Sequence, residues 1–67
     1  MKNTIKVQRA IHNMTQEELA KKTGVTRQTI NTIEAGKYVP STVLALKMAK
    51  IFNVSVETVF QLEAADE

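Results

Sequence analysis

Five of the six consecutive positions from 27 to 32, near the middle of this sequence, carry hydrogen-bonding side chains. They are Arg27, Gln28, Thr29, Asn31 and Thr32. If these positions form a helix, Ile30 and Ile33 share one face at i,i+3 spacing and the polar side chains point away from it. Arginine fits the edge of guanine with two hydrogen bonds, and glutamine or asparagine fits adenine in the same way. The stretch therefore predicts base recognition, although any solvated helix surface can carry such residues.

The residues before this stretch predict a second helix that positions it. In the segment from Thr15 to Gly36, Thr15 suits an N-cap, and Glu18 three residues later completes a capping box. Gly24 favours a left-handed turn, after which Thr26 can cap the polar helix. A short helix, a glycine turn and a polar-faced helix match the helix-turn-helix arrangement of DNA-binding proteins.

The flanking residues make the match more specific. The segment TQEELAKKTGVTRQTINTIEAGKYVPS resembles the DNA-binding domain of the Cro/phage-repressor (Xre-like) family, in particular small stand-alone bacterial repressors such as the cytolysin repressor. The likeness runs from Ile5 to about Phe60. It departs at Gln8 and Thr23, where relatives usually carry apolar residues, and at Asn53, where glycine is usual. The resemblance implies an all-α, five-helix, lambda-repressor-like fold.

The resemblance also assigns roles to residues outside the polar helix. Gln16 and the first turn after Thr15 are expected to meet one DNA phosphate, and Lys37 and Tyr38 in the following loop another. Relatives join the positions of Arg9 and Glu34 by a salt bridge, so the resemblance implies a partly buried, bidentate ion pair here. The alternative is two unrelated surface charges.

The residues that begin and end helices predict where the remaining helices lie. The first is expected from Ile5 to about Asn13, although Val7 and Ile11 fit its apolar face imperfectly. A further helix is expected over Thr42–Phe52, with Ser41 as its N-cap and Asn53 as the residue that ends it. The last helix is expected from Val56 to about Phe60, with Ser55 as its N-cap. By the resemblance, Met1–Asn3 pairs with Gln61–Glu63 as a two-stranded sheet, and residues 64–67 are expected to fray.

A homodimer is expected from the end of the chain. Sixty-seven residues form a single domain with a small core, for which oligomerisation is a common remedy. The candidate interface residues are Val56, Val59, Phe60 and Leu62. The alternative is that Val56, Val59 and Phe60 only close the core of the monomer. A two-fold dimer would place the two polar helices about 34 Å apart, one turn of DNA.

The sequence lacks the residues that other classes of function would require. The single histidine, His12, has no visible partner for catalysis or metal binding, and the serines are explained as caps, so no enzyme, metal or cofactor is expected. No apolar run is long enough for a membrane span, and nothing indicates a small-molecule ligand. The absence of cysteine fits a cytoplasmic protein, and the net charge of +2 is compatible with a DNA partner.

The sequence thus predicts a transcriptional regulator, most simply a repressor that binds a palindromic operator as a homodimer. Repression comes from the resemblance and from no single residue. Domains of this family also act as antitoxins or protein-binding adaptors, and that alternative stays open. A long extension that wraps a toxin would favour it, and only about seven residues follow Phe60.

Overall fold

The structure is a computed structural model that describes residues 1–67, and it confirms the five-helix, lambda-repressor-like fold. A two-stranded sheet joins the ends of the chain. The helices are α1 (Ile5–Ile11), α2 (Gln16–Thr23), α3 (Arg27–Glu34), α4 (Thr42–Phe52) and α5 (Val56–Val59). The strands are β1 (Lys2–Asn3) and β2 (Phe60–Gln61), and a 3-10 turn covers Ala64–Asp66.

Four of the helices begin at the hydroxyl residues that the sequence predicts. The Thr15 hydroxyl accepts from the Glu18 N–H at 3.0 Å, and the Glu18 carboxylate accepts from the Thr15 N–H at 3.0 Å, which completes the capping box. Thr26, Ser41 and Ser55 cap α3, α4 and α5 in the same way, each accepting from the N–H three residues on. These bonds satisfy donors that a helix start otherwise leaves unpaired.

Left-handed residues end the elements at predicted positions. Gly24 follows α2 with φ of 78°, and Asn53 follows α4 with φ of 57°. Asn13 also lies in this region, at φ of 55°. However, α1 ends at Ile11, two residues before the predicted end. His12 caps it, is exposed, and donates from Nδ1 to the Gln8 carbonyl over 2.9 Å.

The terminal sheet is present, but it is shorter than predicted and its register differs. Lys2 pairs with Gln61 and Asn3 with Phe60 in antiparallel fashion. The expected strand Gln61–Glu63 is wrong, because Glu63 instead caps the 3-10 turn by donating its N–H to Asp66 at 2.9 Å. The expectation of a frayed tail is also wrong. The Met1 ammonium lies 3.2 Å from Glu63 and 2.9 Å from Asp66, which draws the acidic tail back.

The core lies where all five helices meet. Its fully buried side chains are Ile5, Leu19, Ile30, Ile33, Met48, Phe52 and Val59. On α1, Ile5 and Gln8 face inward, whereas Val7 and Ile11 are exposed, which accounts for the imperfect apolar pattern. Thr23 replaces an apolar residue at little cost because its buried hydroxyl donates to the Leu19 carbonyl over 2.8 Å.

The segment from Val56 to Phe60, which comprises α5 and the start of β2, contributes more to this core than the dimer prediction assumed. Val59 is fully buried and Phe60 is nearly so, and both belong to the core cluster. Val59 therefore has no surface to offer a partner. Val56 is partly buried against the core, and Leu62 is 66% exposed. No helix combines the length and apolar character that crossing a membrane requires.

Candidate nucleic-acid interface

Two side chains on the outward face of α3, those of Arg27 and Gln28, are free of intramolecular bonds. Arg27, Gln28 and Asn31 are exposed, while Ile30 and Ile33 anchor the opposite face in the core. The side chains of Arg27 and Gln28 make no hydrogen bond or ion pair within the chain. Together with Gln16 they line a surface depression that has no apolar side chain in its wall. Such a face suits direct contact with base edges.

The two threonines of this face differ from their neighbours. Thr29 and Thr32 are half-buried. The Thr29 hydroxyl lies 2.9 Å from the Thr26 hydroxyl, and the Thr32 hydroxyl donates to the Gln28 carbonyl over 2.8 Å. Because these bonds engage the hydroxyl groups, the threonines have their methyl groups and remaining lone pairs to offer a partner.

An ion pair joins α1 to the end of α3. Arg9 Nε donates to Glu34 Oε2 over 2.7 Å, and Arg9 Nη2 donates to Glu34 Oε1 over 3.1 Å, so the contact is bidentate. A third donor, Arg9 Nη1, reaches the Met14 carbonyl over 3.0 Å. The two side chains are only 14% and 9% exposed. The pairing expected from the sequence is thus present in the structure, where it fixes α3 against α1 and the loop before α2.

Gln16 extends this network to the polar face of α3. Its side-chain nitrogen donates to Glu34 Oε1 over 3.3 Å and to Asn31 Oδ1 over 3.2 Å. Both of its amide hydrogens are therefore used inside the protein. A phosphate at the start of α2 would instead meet the backbone N–H groups of Gln16 and Glu17, which have no partner in the helix. The Thr15 hydroxyl keeps its own hydrogen to donate.

The loop after α3 brings a cation beside the polar face. Lys37 and Tyr38 are exposed and share a shallow depression with Gln28, Thr29 and Thr32. Two further lysines lie beside this interface, although the sequence did not single them out. They are Lys47, which borders a depression with Thr29 and Tyr38, and Lys6, which borders one with Thr15. Only the packing of distant segments brings them there, so no local spacing could have indicated them.

Fold and site together define a class of protein. The structure has the helix pair, the glycine turn and the polar-faced second helix of a helix-turn-helix domain. A family model described as helix-turn-helix matches residues 5–59. The chain belongs to this Xre-like helix-turn-helix family, whose members are transcriptional regulators and not a class of enzyme.

Similar sequences occur in archaea and bacteria. The chain is 60% identical over 63 residues to an uncharacterized HTH-type transcriptional regulator of Methanocaldococcus jannaschii, covering 94% of this chain and 96% of that one. It is 52% identical over 63 residues to the uncharacterized HTH-type transcriptional regulator YgzD of Bacillus subtilis, with the same coverage of 94% and 96%. The narrower likeness to the cytolysin repressor stays a prediction.

Solved structures share the fold. The restriction-modification controller protein C.AhdI from Aeromonas hydrophila matches with a TM-score of 0.76 and 27% identity, over 84% of this chain and 85% of that chain. The SOS-response transcriptional repressor LexA from Eubacterium rectale matches with a TM-score of 0.75 and 31% identity. That match covers 81% of this chain and 57% of LexA.

Proposed function

We propose that this protein is a cytoplasmic regulator that binds double-stranded DNA at specific sequences, with α3 lying in the major groove. One observation carries the proposal. Arg27, Gln28 and Asn31 are exposed on a helix whose other face is buried, and the side chains of Arg27 and Gln28 make no bond within the chain. The hydrogen bonds of Glu34 to Arg9 and Gln16 hold this helix against α1 and α2, so its exposed side chains project from a fixed backbone. A helix that reads base edges needs such a fixed position relative to the rest of the protein.

Phosphate contacts complete the proposed complex. The free backbone N–H groups at the start of α2 provide one anion site, and Lys37 with Tyr38 provide another. Lys6 and Lys47 add positive charge beside these positions. Such contacts would fix the register of the protein on the duplex, while the side chains of α3 would select its sequence.

The proposed active form is a homodimer on a palindromic operator. An apolar groove beside the terminal sheet is lined by Met1, Val39, Leu46, Val56 and Phe60. Leu46 and Val39 are 55% and 61% exposed there, and with the other apolar side chains of the groove they form a continuous patch of the kind that marks a protein–protein contact. A second copy of the chain is the proposed partner, because a two-fold pair would set two α3 helices about one DNA turn apart.

Repression is the regulatory outcome that the comparisons favour. LexA of Eubacterium rectale is a transcriptional repressor, and C.AhdI is a controller protein. A domain of 67 residues can repress by occupying a promoter and blocking polymerase, which needs no additional activating surface.

The proposal is tested by mapping protected bases on DNA from upstream of the gene, using purified protein with no partner added. A symmetric protected site, with two halves about 10 base pairs apart, is the expected result. Binding that does not discriminate that DNA from random duplex at 150 mM salt would overturn the proposal. Discrimination only after a second protein is added would point to the antitoxin or adaptor role instead.

A further inference from the structure

The loop between α3 and α4 borders both the proposed DNA surface and the proposed dimer groove. Lys37 and Tyr38 share a depression with polar side chains of α3, on the face proposed to meet DNA. Val39 and Pro40 line the apolar groove proposed to meet a second copy of the chain, together with Leu46 of α4. A single peptide bond, between Tyr38 and Val39, therefore separates the two surfaces along the loop.

The middle of this loop is held weakly in the monomer. Its ends are fixed, because the Lys37 N–H donates to the Thr32 carbonyl over 3.1 Å and Pro40 is buried. Between them, the backbone groups of Tyr38 and Val39 make no hydrogen bond within the chain, and the two side chains are 52% and 61% exposed. A segment with so few internal contacts opens at a low cost in free energy. A partner that contacts it must restrict its conformations, which costs entropy.

The geometry of the chain links the two residues in the middle of the loop. Because Val39 precedes a proline, its backbone is restricted to extended conformations. Successive side chains of an extended chain point to opposite sides, in agreement with the places of Tyr38 beside α3 and Val39 in the groove. Contact of Val39 with a second copy thus also limits the directions open to Tyr38.

We infer that this loop couples dimerisation to DNA binding, so that each strengthens the other. The partner that binds first, whether DNA or a second copy, restricts the loop, and the other partner then meets a loop that is already ordered. Such coupling is reciprocal, and its typical size is about 5- to 150-fold. The inference rests on the proposed function and adds a means of regulating it, because dissociation of the dimer weakens the binding of each subunit to its own half-site.

A duplex that holds a single half-site separates this coupling from bivalent binding. On a full palindrome, a dimer binds more tightly than a monomer merely because both of its subunits contact one duplex. A labelled half-site taken from the protected bases and kept at trace concentration engages only one subunit. We expect the wild-type dimer to bind it at least about fivefold more tightly per subunit than the folded monomer made by Leu46→Glu.

Two controls accompany this measurement. Val7→Glu adds the same charge as Leu46→Glu but lies outside the groove, so it should bind the half-site as tightly as the wild type does. Dilution of the wild type below the dissociation constant of its dimer gives the same comparison of dimer and monomer without any substitution.

Two glycines inserted between Tyr38 and Val39 test whether the loop carries the coupling. The insertion point is exposed and free of backbone hydrogen bonds, so the fold should tolerate it. The flexible insert breaks the geometric link, while Leu46 and the rest of the groove remain to form the dimer. The dimer of this variant should bind the half-site no more than about twofold more tightly than its own Leu46→Glu monomer. Circular dichroism and sedimentation would establish that the variant is folded and dimeric.

Two results would overturn the inference while leaving the proposed function standing. One is equal affinity of the wild-type dimer and its monomer for the half-site. The other is a coupling of undiminished size in the variant with inserted glycines. A wild type that protects no site on DNA, or that sediments as a monomer at every concentration, would overturn the proposed function or its dimer, and the inference with it.

Discussion

Gln28 is the residue at which direct recognition of a base can be tested most cleanly. It is exposed and its side chain makes no bond within the chain, so Gln28→Ala should leave the fold unchanged. We expect the variant to lose discrimination at one base pair by about 1–3 kcal/mol, with little change at other positions. Competition binding with operators substituted at single positions measures this. An even loss across all sequences would show that Gln28 does not contact a base.

Lys37 should behave in the opposite way. An exposed cation on the loop after α3 meets a phosphate in the proposed complex, and phosphates carry no sequence information. Lys37→Ala should therefore weaken binding to operator and random DNA alike, and should lower the slope of log affinity against log salt by about one. Lys21→Ala, on the exposed face of α2, is the control and should leave that slope close to wild type. A selective loss for operator would move Lys37 to the base contacts.

At the scale of helices, the Arg9–Glu34 pair is the main polar link between α1 and α3. Because both side chains are largely buried, Glu34→Ala should leave the Arg9 guanidinium without its partner in a poorly solvated site. The expected loss in the free energy of unfolding is about 3 kcal/mol. Denaturant melts measure it, with Glu17→Ala as a control that removes only an exposed carboxylate and costs below about 1 kcal/mol. A loss below about 0.5 kcal/mol for Glu34→Ala would be incompatible with this role.

The capping box of α2 makes the stability of the protein depend on pH in the acid range. The Thr15 N–H donates to the Glu18 carboxylate and holds its pKa below the ordinary value of 4.5. The charged form is thus favoured by folding. Its stabilising contribution is present above pH 4.5 and is lost as the pH falls through the lowered pKa of the folded state.

Glu18→Gln should reduce this dependence. The glutamine oxygen can still accept from the Thr15 N–H, but it does not titrate. Between pH 5 and about pH 3, the melting temperature of the wild type should fall further than that of the variant. Parallel thermal melts compare the two, with Glu17→Gln as the control because Glu17 accepts no such bond. Identical falls in wild type and Glu18→Gln would remove the capping box as a source of acid sensitivity.

For the whole molecule, the position of the core changes how a dimer must be tested. Phe60 is nearly buried within the monomer, so a charge there would unfold the chain and would say nothing about association. Leu46 and Leu62 are exposed instead. We expect Leu46→Glu, combined with Leu62→Glu if needed, to convert a dimer to a folded monomer in sedimentation at micromolar concentration, with operator affinity reduced accordingly.

Val7→Glu is a matched control for this experiment, since Val7 is an exposed apolar residue of α1 outside the groove. It should leave the mass in solution unchanged. A wild type that sediments as a monomer throughout this range would contradict the proposed dimer. If Val7→Glu alone dissociated the protein, the interface would lie on α1.

The sequence by itself determined the local features of this protein. Hydroxyl caps at Thr15, Thr26 and Ser41 and left-handed stops at Gly24 and Asn53 lie where it places them. These features depend on bonds and backbone angles within a few residues, so composition and spacing suffice to predict them. The same holds for the inward face of α3, because a helical period of 3.6 decides which residues share a side.

Only the tertiary structure decided the features that join distant segments. Val59 could have served either a core or an interface, and the packing of α5 buries it. The tail turns back because the Met1 ammonium meets Asp66 across the whole length of the chain. The Asn31 amide is oriented because Gln16, fifteen residues earlier, is brought within 3.2 Å of it. Such contacts depend on where helices are placed relative to one another, which no local pattern of residues encodes.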